Sequence, residues 1–193
     1  MERCVMSSEE DAWVSRAREG DQAAFEAIFQ RYERQIYSFT YRMMGDADDA
    51  YDLTQDCFIK AYRNLEKTNG DLNVSAWLHR IASNACLDVL RRRKRIRWLP
   101  WDNAKHENLL LSHTTDDPEL TAVATEIRQD VQIILDKMTP RNRLALLLRE
   151  FEGLSTEEIG EVMGLSRSAV KSVLFRAREE FRKLYTSSYG EAH

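Results

Sequence analysis

Hydrophobic residues recur along the chain at steps of three and four, and no stretch keeps the two-residue alternation of a half-buried strand. The spacing predicts a first helix over residues 9–19, ended by Gly20. Asp21 stands where it can cap a second helix, in which Phe25, Ile28, Phe29, Tyr32, Ile36, Phe39 and Met43 hold one stripe until Gly45. A third helix is predicted over residues 47–65, followed by the turn signal Asn69-Gly70-Asp71. A fourth begins near Val74 and continues into the basic run Arg91–Arg97, with Leu78, Ala82, Ala85 and Val89 as a narrow core stripe. These four helices can share one core.

Periodicity lapses between Trp98 and Pro118, where Pro100, Asp102, Asn103 and the polar stretch Thr114–Asp117 read as a linker. It resumes with a helix over residues 119–138. Another follows, with Thr139 as cap and Pro140 at the first helical position, and stops at Gly153. Ser155 and Glu158 are spaced as a capping box for a short helix reaching Met163. Gly164 breaks it, and Ser166 caps a last helix to about Leu184. The expected fold is therefore all-α: two small helical domains, residues 1–97 and 119–187, joined by a flexible acidic linker, residues 98–118, with a tail over 188–193.

Composition narrows the class. Charged residues make up 31%, hydrophobic residues 43%, and there are only 7 Gly and 3 Pro, which suits a soluble helical protein. No apolar run approaches the ~18 residues of a membrane span, and the acidic N-terminus lacks a signal peptide's apolar core. A cytoplasmic protein without membrane insertion is expected. Cys4, Cys57 and Cys86 have no metal-binding spacing, nor do the four histidines, so neither metal nor cofactor is expected; Cys57 and Cys86 fall within helical patterns as small buried residues. No Ser/His/Asp arrangement and no phosphate-cradling glycine loop points to an enzyme.

A net charge of −4 argues against nucleic-acid binding until its distribution is considered. Asp46, Asp48, Asp49, Asp52 and Asp56 cluster, and so do Arg91, Arg92, Arg93, Lys94, Arg95 and Arg97. Segregated acid and base imply two kinds of partner.

The most specific signal is a helix-turn-helix over residues 156–174. Two short helices crossing steeply need a small residue in the first, Gly160, and a turn glycine that tolerates positive φ, Gly164. Ile159, Leu165, Val170 and Leu174 then hold the pair together. At 100° per residue the last helix, opening at Arg167, turns Val170, Val173, Leu174, Ala177 and Phe181 to one side. Ser168, Lys171, Ser172, Phe175 and Arg176 lie on the other, where Phe175 suits a thymine methyl and the cations suit guanine edges or phosphates.

Two further faces are less specific. Asp49, Asp52 and Asp56 share one sector of the third helix, with Tyr51, Phe58, Tyr62 and Leu65 opposite; on spacing alone this fits a solvated face, and Asp56 with Lys60 is a routine i,i+4 pair. On the fourth helix Trp77, Arg80, Asn84 and Arg91 line a face leading into the basic run. Basic groups can follow phosphates, an aromatic ring can stack on unpaired bases, and an amide can bond a base edge; core packing of Trp77 and a solvated helix end are the alternatives.

Together these blocks resemble the extracytoplasmic-function (ECF) sigma factors of the sigma-70 family. Residues 20–66 resemble the polymerase-binding half of region 2, SAWLHRIASNACLDVLRRRKR its –10-reading half, and residues 135–179 region 4. The resemblance implies an alternative sigma factor that binds core RNA polymerase and directs promoter-specific initiation, reading –35 duplex DNA and stabilising melted –10 DNA. It puts Asp49, Asp52, Gln55 and Asp56 at the polymerase contact, and Trp77, Arg80, Asn84 and Arg91 at the –10 strand. Asn84 is then the asparagine of the IAxN motif that captures a flipped base, and the loop from Thr68 to Val74 shapes its pocket. Arg167, Ser168, Lys171, Ser172, Phe175 and Arg176 fall at the –35 duplex. An anti-sigma factor is a further implied partner. Gly160 departs from the family's usual alanine, at a cost of up to ~1 kcal/mol in helix propensity. A free-standing regulator using only the helix-turn-helix is the rival reading, and it leaves the acidic and IAxN helices without a task.

Overall fold

Asp21 shows how these sequence signals become structure. Its carboxylate accepts from the backbone N–H groups of Ala23 (2.9 Å) and Ala24 (3.2 Å), the orphan donors at a helix start. Arg16 grips the same side chain at 2.6 Å, fixing the corner between the first two helices. In the computed structural model, which describes residues 8–96 and 129–190, every regular element among the described residues is a helix. They are α1 (Ser8–Arg18), α2 (Gln22–Met44), α3 (Ala47–Asn64), a 3-10 turn (Leu65–Lys67), α4 (Val74–Ile96), α5 (129–137), α6 (Pro140–Glu150), α7 (Thr156–Met163) and α8 (Arg167–Tyr189). The expected linker, the start of the helix from 119 and the last three residues lie outside the described residues.

The α2 stripe is buried as its spacing requires, with Ile28, Ile36, Phe39 and Met43 almost wholly shielded. Phe29 meets Phe58 of α3 edge-on, ring centres 4.8 Å apart. A hydroxyl pair, Thr40 and Thr54 at 3.0 Å, joins the two helices in the interior, and both also reach the Ala50 carbonyl. Tyr51 and Tyr62 depart from the expected core side of α3: they are 59% and 49% exposed. The helix packs through Ala50, Leu53, Cys57, Phe58 and Ala61, and at 100° per residue both tyrosines fall roughly 90–110° from the middle of that stripe.

The two helical groups do not stand apart. α6 runs between them, and Arg143, Leu144, Ala145, Leu146, Leu147 and Leu148 are all buried, covering every direction around its axis. A helical segment buried all round belongs to a core rather than a surface. One side packs on α8, the other on α2 and α4. Polar contacts cross the same boundary. The Arg143 guanidinium donates to the Met43 carbonyl at 2.6 Å, satisfying an orphan acceptor at the C-terminus of α2, where positive charge is favoured. Arg42 lies over the Phe151 ring, 4.6 Å from its centre. Asn73 donates to Glu158 of α7 at 2.6 Å.

Deepest in this boundary lie His79 of α4 and Glu152 of the α6–α7 loop, their side chains 0% and 4% exposed. His79 Nδ1 faces the Ser75 carbonyl at 2.7 Å, and a carbonyl can only accept, so Nδ1 carries a hydrogen. Nε2 then faces Glu152 Oε2 at 3.2 Å, in ion-pair range though not aligned as a hydrogen bond. Gln35 of α2 donates to the same oxygen at 2.9 Å. Burial alone would raise the Glu152 carboxyl; His79, Gln35 and Arg42 outweigh it and hold it below its ordinary value.

The cap at Asp21 gives a pH-dependent outcome. Its carboxyl is lowered, first by Arg16 and then by the Ala24 N–H. A depressed carboxyl stabilises the fold above its unfolded value and loses that contribution as pH falls through the folded one. Thermal melts taken from ~pH 5 downward should show a shallower acid decline for Asp21→Asn than for the native chain.

Candidate nucleic-acid interface

The α7–α8 unit is built as a helix-turn-helix requires. Ser155 and Glu158 form the reciprocal box: the Ser155 N–H donates to the Glu158 carboxylate at 2.7 Å, and the Glu158 N–H to the Ser155 hydroxyl at 3.2 Å. Gly164 ends α7 at φ +64°, and the Leu165 N–H closes back on the Gly160 carbonyl at 2.9 Å. Ser166 caps α8 by accepting from Ala169 N–H at 3.3 Å. At Gly160 the two segments lie close together: a Cβ there would lie 2.8 Å from the Leu165 carbonyl oxygen. The glycine that departs from the usual alanine therefore fits a tight turn. One cap differs from expectation. Thr139 occupies the N-cap of α6 but makes no cap bond with its side chain; the hydroxyl donates instead to Glu180 of α8 at 3.0 Å, where Asn142 also reaches.

α8 buries Val170, Val173, Leu174 and Ala177, and Phe181 partly. Arg167, Ser168, Lys171, Ser172, Phe175 and Arg176 are all exposed. Phe175 is 67% exposed and lines a shallow depression with Lys171, Ser172 and Arg176. An aromatic ring left in water among cations is poorly placed for stability and well placed for an apolar contact with a groove. Arg167 pairs with Glu157 at 3.0 Å, but both side chains are more than half exposed, so the pair is weak and easily exchanged for a phosphate.

α4 presents a second face. Asn73 caps it by accepting from the Ala76 N–H at 3.0 Å. Arg18 of α1 steadies the preceding loop through the Thr68 hydroxyl (3.0 Å) and the Gly70 carbonyl (2.9 Å). Arg80, Asn84 and Arg91 are exposed along one side, while Trp77 is half-buried against the core. Arg91 is paired with Asp88 at 2.5 Å, a neighbour on the same face that spacing alone did not bring out.

The acidic face of α3 divides. Asp52 and Asp56 are exposed and Gln55 half-buried, but Asp49 is taken by Arg93 of α4 at 2.6 Å. Sequence reasoning missed Ile59, 46% exposed in the middle of this stripe. The signal was available: at 100° per residue Ile59 falls between Gln55 and Asp52, an apolar group on an acidic face. It missed His79 as well, since a histidine inside a helical stripe carries no mark of a partner far along the chain.

Among the described residues no cluster of His, Cys, Asp and Glu could hold a metal, and no helix is long and apolar enough to cross a membrane. Cys57 and Cys86 are buried, and burial pushes both thiols up to about 12, so neither is a nucleophile at neutral pH.

A helix-turn-helix with an outward cationic and aromatic face, beside a helical unit with acidic and basic faces, defines a DNA-binding protein with a second partner. Residues 28–96 match the Sigma-70 region 2 family, and residues 128–181 match Sigma-70, region 4. The chain is 33% identical over 174 residues to the ECF RNA polymerase sigma factor SigW of Bacillus subtilis, covering 88% of this chain and 93% of that one. It resembles the solved structure of CnrH in complex with the cytosolic domain of CnrY, with a TM-score of 0.70, 24% identity, and 93% and 99% of the two chains covered. It also resembles the Bartonella quintana sigma factor RpoE solved with the anti-sigma factor NepR, with a TM-score of 0.65, 22% identity, and coverage of 83% and 95%. The chain belongs to the sigma-70 family, within its ECF group of alternative sigma factors that direct transcription.

Gly160→Ala sets a helix-propensity gain of up to ~1 kcal/mol against a contact with a backbone oxygen that the turn cannot swing aside. The contact should win, lowering stability by about 1 kcal/mol, measurable by urea denaturation, and weakening duplex binding as α8 is displaced.

Proposed function

We propose that this ECF factor binds core RNA polymerase through the acidic face of α3, reads –35 duplex DNA with α8, and stabilises melted –10 DNA with α4. The observation that carries the reading is that α8 and α4 each leave cations beside groups able to contact bases in solvent: Phe175 with Lys171 and Arg176, and Asn84 with Arg80. On α8, Lys171, Arg176 and Arg167 neutralise phosphates, Ser168 and Ser172 supply short hydrogen bonds, and Phe175 meets an apolar base edge.

On α4, Asn84 bonds an unpaired base while Arg80 and Arg91 follow the strand, Arg91 exchanging Asp88 for phosphate. Trp77 supports the pocket from its half-buried position, and the loop held by Arg18 sets its shape. Unstacking a base costs a few kcal/mol, which these contacts offset. Asp52, Gln55 and Asp56 dock on polymerase, with Asp49 first releasing Arg93; Ile59 adds an apolar centre to that contact. The factor supplies no chemistry of its own, acts in the cytoplasm with polymerase, and is held in check by an anti-sigma factor, as the Bartonella relative is solved with one.

Run-off transcription with core polymerase tests the reading: start-site selectivity should appear only when the chain is added. Asn84→Ala should reduce permanganate-detected promoter melting by roughly tenfold, about 1.4 kcal/mol, while leaving polymerase binding intact. Lys171→Ala should weaken –35 duplex binding and lower the slope of log affinity against log salt by about 1. Normal melting by Asn84→Ala would remove that residue from the mechanism.

A further inference from the structure

Residues 68–73 join the 3-10 turn to α4, and the proposed function sets them beside the unpaired base. The ends of this loop are tied into helices. Thr68 donates to the Leu65 carbonyl through its N–H at 3.0 Å and its hydroxyl at 2.6 Å. Leu72 packs on the core, and Asn73 caps α4. The tip is held differently. Asn69, Gly70 and Asp71 are exposed, and the chain turns at Gly70 with φ +65°. Among the described residues, the hydrogen bond from Arg18 to the Gly70 carbonyl is the one that reaches this tip.

Arg18 lies ahead of residues 28–96, the part matched to Sigma-70 region 2. It ends α1, a helix seated through buried Val14 and half-buried Trp13 and Ala17, and is itself half-buried. One edge of its guanidinium spans two acceptors, with Nε on Thr68 Oγ1 at 3.0 Å and Nη2 on the Gly70 oxygen at 2.9 Å. Two N–H groups in a rigid fork can do this, and a lysine ammonium cannot reproduce it. Thr68 Oγ1 accepts from Arg18 while its own proton goes to Leu65, so each bond of the chain polarises the next.

We propose that Arg18 is the positioning residue of the –10 loop: by bracing Thr68 and Gly70 from α1, it fixes the conformation in which Asn69 and Asp71 meet the unpaired base, and so sets the factor's base selectivity. This rests on the reading above, which puts that base beside the loop and α4. An amide or a carboxylate held in one place satisfies one base edge and leaves the wrong one unpaired, which is how polar sites discriminate. A loop free to move presents the same groups to several bases, and binds each in proportion to the population of the matching conformation. Arg18 acts through the loop, without touching DNA.

The test uses the full chain. Order parameters of the backbone N–H groups of residues 69–71 report the brace. Base preference is read with core polymerase on a promoter library randomised across the –10 element, each template identified by a transcribed barcode. Arg18→Met keeps the stem and removes the fork. It should lower the order parameters from about 0.85 to below about 0.6, at unchanged helix content and polymerase affinity. It should also cut the preference ratio at one –10 position about tenfold, leaving the other positions within about twofold of native. Arg18→Lys should keep part of the preference. Thr68→Val should lose part of it, and Arg18→Met with Thr68→Val should cost no more than Arg18→Met alone. If Arg18→Met loses helix content, Thr68→Val, which leaves α1 intact, decides on the same two readouts. Unchanged order parameters overturn the brace. A mobile loop with native base preference, or a loss spread evenly over every position, overturns the role in selectivity. If the native factor shows no preference within the randomised element, the functional reading falls instead, and the order parameters still decide the brace.

Discussion

The burial of α6 on all sides is the constraint from which the rest follows. Its leucines have no solvent side, so the unit that contains it must cover two faces of one helix, with α8 on one and α2 with α4 on the other. Burying a leucine contributes about 1.5–3 kcal/mol, so the face turned to α2 and α4 is a substantial fraction of a small unit's stability. The polar contacts at this boundary decide which surfaces meet more than how strongly. A buried ion pair recovers little net energy beyond its desolvation cost, but a misaligned one is heavily penalised.

Charge is distributed to match. Cations lie on the outer faces of α4 and α8 and acids on α3, so a net charge of −4 conceals surfaces of opposite sign. Several of these groups are occupied by weak internal partners: Asp49 by Arg93, Arg91 by Asp88, Arg167 by Glu157. Exposed pairs of this kind are worth little and trade readily for an external ion. They neutralise these exposed groups without committing them.

Much of this was legible in the sequence because it is local. Asp21, Ser155 and Ser166 cap the helices their spacing announced, Gly45 and Gly164 take left-handed conformations, and the two sides of α8 follow from 100° per residue. The same arithmetic placed Asn84 and Arg80 in solvent. What it could not supply was contact between distant segments. His79 meets Glu152, Arg143 meets Met43, and Thr139 is drawn from its capping role by Glu180. The run Leu144–Leu148 held a clue, since five consecutive apolar residues leave no solvent side, but a run of that kind does not say what covers it. Tyr51 and Tyr62 lie where the edge of a stripe becomes the open flank of a helix, a distinction that depends on the width of the neighbour.

Asn73 has the longest reach of these residues. It starts α4, ends the loop before the face of Arg80 and Asn84, and donates to Glu158 of the distant helix-turn-helix. Any inherited change there is pleiotropic. A lineage that reshapes this loop also alters a tie between two helical units, so loop geometry and inter-unit packing cannot drift independently at this position.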